Sequence, residues 1–116
     1  MYQLKDRQSQ LNPQILCILA QCRDILHKID PAAKLVLYGS YATGSATAES
    51  DLDLLILVNG QLTAQKKKQI RNSLYEISLE NDIVISAIIK SISAWDMPMS
   101  QAMPIYNNIH HYGIAL

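Results

Sequence analysis

Two aspartates one residue apart, Asp51 and Asp53, open the apolar run Leu54-Leu55-Ile56-Leu57-Val58. Side chains of a strand alternate between faces, so both carboxylates project from one face while Leu52 and Leu54 point to the other. Their Cα atoms then lie about 6.5 Å apart. Carboxylates at that spacing converge on one hard cation, and oxygen ligands suit Mg2+ or Mn2+ rather than zinc. Without a cation the pair repels, and placing it at the head of an apolar strand costs stability. Ten residues separate Asp51 from a second short motif, Gly39-Ser40, which closes the run Leu35-Val36-Leu37-Tyr38. Gly39 has no Cβ, so a phosphate can approach the backbone closely. Ser40 adds a hydroxyl, and the amides after it can point at the same oxygens. Gly44 permits a second tight bend. Either motif alone is common in strand ends and turns. In this order, on two strands joined by one loop, they form a phosphate cradle beside a divalent-cation site. That layout holds a nucleoside triphosphate, with the cation neutralising charge at the reacting phosphorus and orienting the attacking oxygen.

The elements that must position these residues are legible by pattern. Asn12-Pro13 starts a helix, with asparagine as N-cap and proline at the first helical position. Ile15, Leu16, Ile18, Leu19, Cys22, Ile25, Leu26 and Ile29 follow at helical spacing over about 16 residues, and Pro31 closes the helix. Lys34 to Tyr38 reads as a short strand, Tyr41 to Ser50 as a loop or short helix, and Asp51 to Val58 as a strand ended by the turn Asn59-Gly60. Thr63 caps a helix from Ala64 to about Glu80, with Ile70, Leu74 and Ile77 inward. Asn81-Asp82 turns the chain, and the nearly continuous apolar run Ile83 to Ile89 predicts a strand buried on both faces. Trp95 to Met103 is a connection rich in methionine and broken by proline. Pro104 to about Tyr112 predicts a last helix, Gly113 its stop, and Ile114 to Leu116 a short strand or tail. The order α, β, β, α, β, α predicts an α+β domain over residues 1–116, a small mixed sheet with helices on one side.

Composition narrows the function classes. The chain has 116 residues, 49% hydrophobic and 17% charged, which is globular. Lys+Arg and Asp+Glu are 10 each, so the formal net charge is zero and a basic surface for long nucleic acid is not expected. No apolar run reaches the roughly 18 residues that cross a membrane, and the polar start Met1-Tyr2-Gln3-Leu4-Lys5-Asp6 is unlike a secretory signal. Cys17 and Cys22 form no CxxC pair and read as buried thiols of a reducing compartment. The expectation is a cytoplasmic protein.

With those elements in place, Gly39-Ser40, ten residues and Asp51-Leu52-Asp53 resemble the motif of the minimal nucleotidyltransferases, members of the DNA polymerase β-like superfamily. Leu35-Val36-Leu37-Tyr38, Gly44 and Ser50-Asp51-Leu52-Asp53-Leu54-Leu55-Ile56 are similar too, and Pro104 to Ile114 looks like the tail of one subgroup. The Gly-Ser and Asp-x-Asp pair is the specific part. The resemblance implies mixed strands flanked by helices, Mg2+, and transfer from a nucleoside triphosphate to a hydroxyl. It implies Gly39, Ser40 and Ser50 at the nucleotide, and Asp51 and Asp53 as metal ligands and catalytic carboxylates. The family usually carries a third carboxylate on the next core strand. Asp82 is the acidic residue near that strand and the candidate for third ligand and base. An alternative alignment gives the position to Val84 and leaves Asp82 as the cap of the strand entry. Both residues have the same parity, so periodicity does not separate them. The loop Tyr41 to Ala46 lacks the arginine that often follows the Gly-Ser in the family.

Many small members are antitoxins encoded beside a HEPN-domain RNase toxin, and transfer AMP to a tyrosine of that toxin. The length leaves no second domain to hold an acceptor, which agrees with an acceptor on a partner protein. The expected function is therefore AMP transfer from ATP to a partner, with Mg2+ or Mn2+. The alternatives are a degenerate transferase that neutralises its partner by binding alone, and transfer to a small molecule or RNA. Other residues carry two readings each. Lys66, Lys67 and Lys68 are a phosphate or RNA contact, or a solvated helix turn. His110 and His111 are ligands or surface residues. Tyr38 and Tyr41 stack on a base or simply pack. Trp95, Met97, Met99 and Met103 form a partner surface or cover the core edge.

Overall fold

The computed structural model describes residues 1–116. A two-residue strand β1 (Tyr2–Gln3), a one-turn helix α1 (Leu4–Arg7) and a 3-10 turn (Gln8–Gln10) precede the first long helix, α2 (Pro13–Ile29). Asn12 caps α2 by accepting from the Ile15 amide at 2.8 Å, and Pro13 sits at its start. Strand β2 (Lys34–Tyr38) leads through Gly39 into the short helix α3 (Ser40–Thr43), and β3 follows (Leu52–Val58). Thr63 caps α4 (Ala64–Asn81), accepting from the Lys66 amide at 3.1 Å. Then come β4 (Ile85–Ser91), the short helices α5 (Ile92–Trp95) and α6 (Pro98–Gln101), helix α7 (Pro104–Tyr112) and β5 (Ile114–Ala115). No helix is long and apolar enough to cross a membrane.

The fold is mixed α+β. Its sheet has the order β1-β5-β2-β3-β4, with β2 antiparallel to β3 and β5, and β4 parallel to β3. Alternation along β3 splits the core in two. Leu52, Leu54, Ile56 and Val58 meet Ile18, Leu19, Cys22 and Leu26 of α2 and Ile70, Leu74 and Ile77 of α4. Leu55 and Leu57 face the other way and meet Val36, Trp95 and Ile109. Helices thus cover both faces, not one as the element order predicts. Trp95 and the α7 residue Tyr106 pack with ring centroids 5.0 Å apart and planes tilted by 37°, and close the second face. Trp95 is a core-covering residue, while Met97, Met99 and Met103 stay exposed.

Three further expectations are corrected. Strand β4 begins at Ile85 and lies at the sheet edge, so only Ile89 of it is fully buried and Val84 before it is exposed. An apolar run marks an edge strand as readily as a central one when one neighbour is missing. Cys22 is buried, and desolvation pushes its thiol up to about 12, but Cys17 lies on the outer side of α2 and is exposed. Lys66 is not simply solvated. Its ammonium pairs with Asp30 at 3.2 Å.

Asp30, the one buried charged residue, ties three segments together. It accepts from the Asn59 amide at 2.9 Å, from the Ala32 amide at 3.1 Å and from Lys66. Burial alone would raise its pKa, but these hydrogen bonds and the Lys66 charge outweigh burial and hold it below the usual carboxylate value. A depressed folded pKa stabilises above the unfolded value of about 3.9 and is lost as pH falls through the folded one. Asp30→Ala is expected to cost about 2–3 kcal/mol at neutral pH, because it strands buried donors. Urea unfolding of both proteins at neutral and acid pH checks this, and the gap should narrow on the acid side.

Candidate active site

The site lies where β2 ends and β3 begins. Tyr38 and Asp53 are partners across the two antiparallel strands. Asp53 shares the parity of Leu55 and Leu57, so it emerges on the face covered by α5 and α7. Asp51, two residues earlier, has the same parity and is exposed, whereas Asp53 is half-buried. Burial raises the pKa of Asp53, and the neighbouring charge of Asp51 raises it further. Tyr38, half-buried beside it, is raised by its own burial and by the Asp53 charge. The only salt bridge of the chain is that of Asp30 with Lys66, so neither Asp51 nor Asp53 has a cationic partner.

Gly39 connects this pair to the turn. Its backbone has φ 75° and ψ −155°, a conformation that essentially only glycine adopts. A Cβ built there would run into the Asp53 carboxylate, with Asp53 Cγ 3.1 Å away. Gly39 is thus required by the aspartate before any phosphate arrives, which its position in the sequence does not reveal. Its carbonyl accepts from the Ala42 and Thr43 amides, closing α3, and Gly44 ends α3 in the left-handed region with φ 80°. Ser40 begins that turn half-exposed beside Gly39. The first amides of any helix lack intrahelical partners, which leaves donors at this corner for an anion.

Ser50 is held within the loop before Asp51. Its hydroxyl accepts from the Thr47 amide at 2.8 Å, and its own amide donates to the Thr47 carbonyl at 3.1 Å. Its hydroxyl also lies 3.3 Å from that of Thr47, so Ser50 shapes the loop that delivers Asp51. Tyr38 packs against the Trp95 cluster and Tyr41 against the α2 side of the core. Both rings serve packing. His110 and His111 are exposed on α7, and His110 stacks on the Tyr106 ring at 6.1 Å.

Asp82 does not join the pair. It ends α4 in the left-handed region, with φ 50°, and its amide bonds back to Ser78. No group of three His, Cys, Asp or Glu side chains with the geometry to share a metal ion exists in the chain. The register settles which β4 residues flank the aspartates. Asp53 is paired with Ser86, and the Leu52 amide donates to the Val84 carbonyl at 2.8 Å. Val84 and Ser86 have the parity of the aspartate face, and neither is a carboxylate. Asp82, offered by the sequence as a third ligand, is the C-cap of a helix.

Asp51 and Asp53 fit a divalent cation. They are two hard oxygen donors on one face, unneutralised, in a corner where burial and the neighbouring Asp51 charge already disfavour the charge of Asp53. The chemistry matches what the comparisons find. The nucleotidyltransferase domain family matches residues 19–104, which contain Gly39, Ser40, Asp51 and Asp53. A Methanocaldococcus jannaschii protein named "Putative protein adenylyltransferase" is 43% identical over 60 residues. That match covers 52% of this chain and 61% of the relative, so the chain spans less than two thirds of the relative's length. The match of a family over most of its length, on the strands and turn that build this corner, places the chain in the nucleotidyltransferase domain family.

Proposed function

We propose that the protein transfers AMP from ATP to a tyrosine hydroxyl of a partner protein with the help of Mg2+ or Mn2+, and that the partner is a HEPN-domain toxin which it neutralises as an antitoxin. One observation carries the reading: two unneutralised carboxylates, Asp51 and Asp53, stand on one sheet face against the glycine of a Gly-Ser turn. Asp51 and Asp53 hold the cation, and the Gly39-Ser40 turn receives the triphosphate, with the Ser40 hydroxyl donating to a phosphate oxygen. When bound, the cation withdraws charge from the reacting phosphate. The acceptor oxygen bonds to the α-phosphorus as the bond to pyrophosphate breaks. The acceptor proton leaves to solvent, to which the exposed Asp51 keeps the corner open. Family membership supports nucleotidyl transfer, and the name of the relative supports AMP and a protein acceptor.

The absence of a carboxylate at Val84 or Ser86 favours a second reading, in which the fold neutralises its partner by covering it. Incubation with ATP labelled at the α-phosphate, Mg2+ and the product of the adjacent gene separates the two. Label on the partner with wild type and none with Asp51→Asn is the expected result. Protection of cells by an Asp51→Asn, Asp53→Asn double variant, with no label transferred by wild type, would assign the function to binding.

A further inference from the structure

An apolar groove opens along the free edge of β4 on its α4 side, one strand over from the aspartates. Two adjoining hollows of about 340 Å³ each run between this edge and α4, and share Tyr75, Ser78 and Ile85. Tyr75 and Leu79, one helical turn apart, are each 63% exposed, and Val84 is 61% exposed. Lys90 is the only charged residue of β4, so little guards its unpaired backbone against another strand. The charges of α4 are arranged against its own dipole. Lys66, Lys67, Lys68 and Arg71 crowd its first half, and Glu76, Glu80 and Asp82 its end. Cations at a helix N-terminus and anions at its C-terminus each weaken the helix. Along the groove the same order places Arg71 at one end and Asp82 at the other, with Tyr75 and Ser78 between them.

We infer that this edge is the interface of a symmetric dimer, in which β4 of two copies pairs antiparallel about a two-fold axis and Arg71 of each copy faces Asp82 of the other. A two-fold axis perpendicular to the sheet keeps both α4 helices on one face and runs them antiparallel. The basic half of each then lies along the acidic end of its partner, which turns an unfavourable charge order into a complementary one. The axis passes near Tyr75 and Ser78, the shared centre of the two hollows, so Tyr75 and Leu79 cover their counterparts. The zero formal net charge leaves no overall repulsion between copies.

Sedimentation of the full chain tests this. Wild type is expected to sediment as a dimer at micromolar concentration. Arg71→Glu and Asp82→Lys, each alone, should weaken association at least tenfold, because like charges then meet across the axis. Mixing these two variants should restore a dimer, since both contacts then join opposite charges. Leu79→Glu, at an exposed position, should also yield a monomer, with an unchanged far-UV circular dichroism spectrum. If the left-handed backbone at residue 82 does not accept lysine, Arg71→Glu and Leu79→Glu decide alone. A wild type that stays monomeric to about 100 μM, a dimer that all these substitutions leave intact, or two folded variants that fail to restore each other would overturn the inference.

Discussion

Asp53→Asn should reduce nucleotidyl transfer on the order of a thousandfold or more, while leaving the protein folded and at least as stable. The two halves of this expectation have one cause. Asp53 is held half-buried beside Asp51, with a pKa raised first by burial and then by that neighbour. A carboxylate with a raised folded pKa favours folding when protonated. Its stabilising contribution is therefore lost as pH rises from the unfolded value of about 3.9 through the folded one. At neutral pH the native state carries the repulsion as a cost, and asparagine of the same shape removes it. What asparagine cannot do is neutralise a cation. A thermal-shift series in Mg2+ makes the distinction without any substrate. Wild type should gain stability with added Mg2+, because binding to the native state alone shifts the equilibrium, and Asp53→Asn should start higher and gain little. A wild type indifferent to Mg2+ and Mn2+, or a variant that still transfers label at wild-type rate, would remove the aspartate pair from the chemistry.

The local signals of the sequence carry over closely into the structure. Asn12 and Thr63 mark helix starts because capping depends on one side chain, which is visible in a string of residues, whereas Gly113 ends α7 with an ordinary φ of −65° and is glycine because a Cβ would meet Ile109 and Val36. The alternation that put Asp51 and Asp53 on one face needs only the period of a strand. What was not legible depends on contacts far along the chain. Strand β1 has two residues and exists because it pairs with β5, the short terminal strand that slots between it and β2. Asp30 reads as a plain helix end, yet its partners Asn59 and Lys66 lie 29 and 36 residues away. The edge position of β4 and the cover that Trp95 and Ile109 give the second face are facts of topology. For Asp82 and Val84 the pattern was degenerate, since both share a parity. The left-handed residue at 82 and the register of β4 break the tie.

Gly39→Ala should show that one glycine serves both the backbone and the aspartate. Alanine adds a single carbon, yet it meets two obstacles. The conformation φ 75°, ψ −155° costs a residue with a Cβ about 1–3 kcal/mol, and the Cβ itself lands on the Asp53 carboxylate. The expected loss is about 2–4 kcal/mol, enough to lower the thermal midpoint by about 10 °C or more in a chain of this length. Transfer should fall with it even where the protein remains folded, because Asp53 must swing away. The coupling is measurable. In an Asp53→Ala background the carboxylate is gone and only the backbone strain is left, so Gly39→Ala should cost roughly half as much there. A double-mutant cycle on unfolding free energies reads this directly. If Gly39 mattered solely as space for phosphate, the substitution would leave stability and the Mg2+ shift untouched, and the two costs would simply add. A non-additive cycle ties the Gly-Ser turn to the aspartate pair as one structural unit, built before the nucleotide binds.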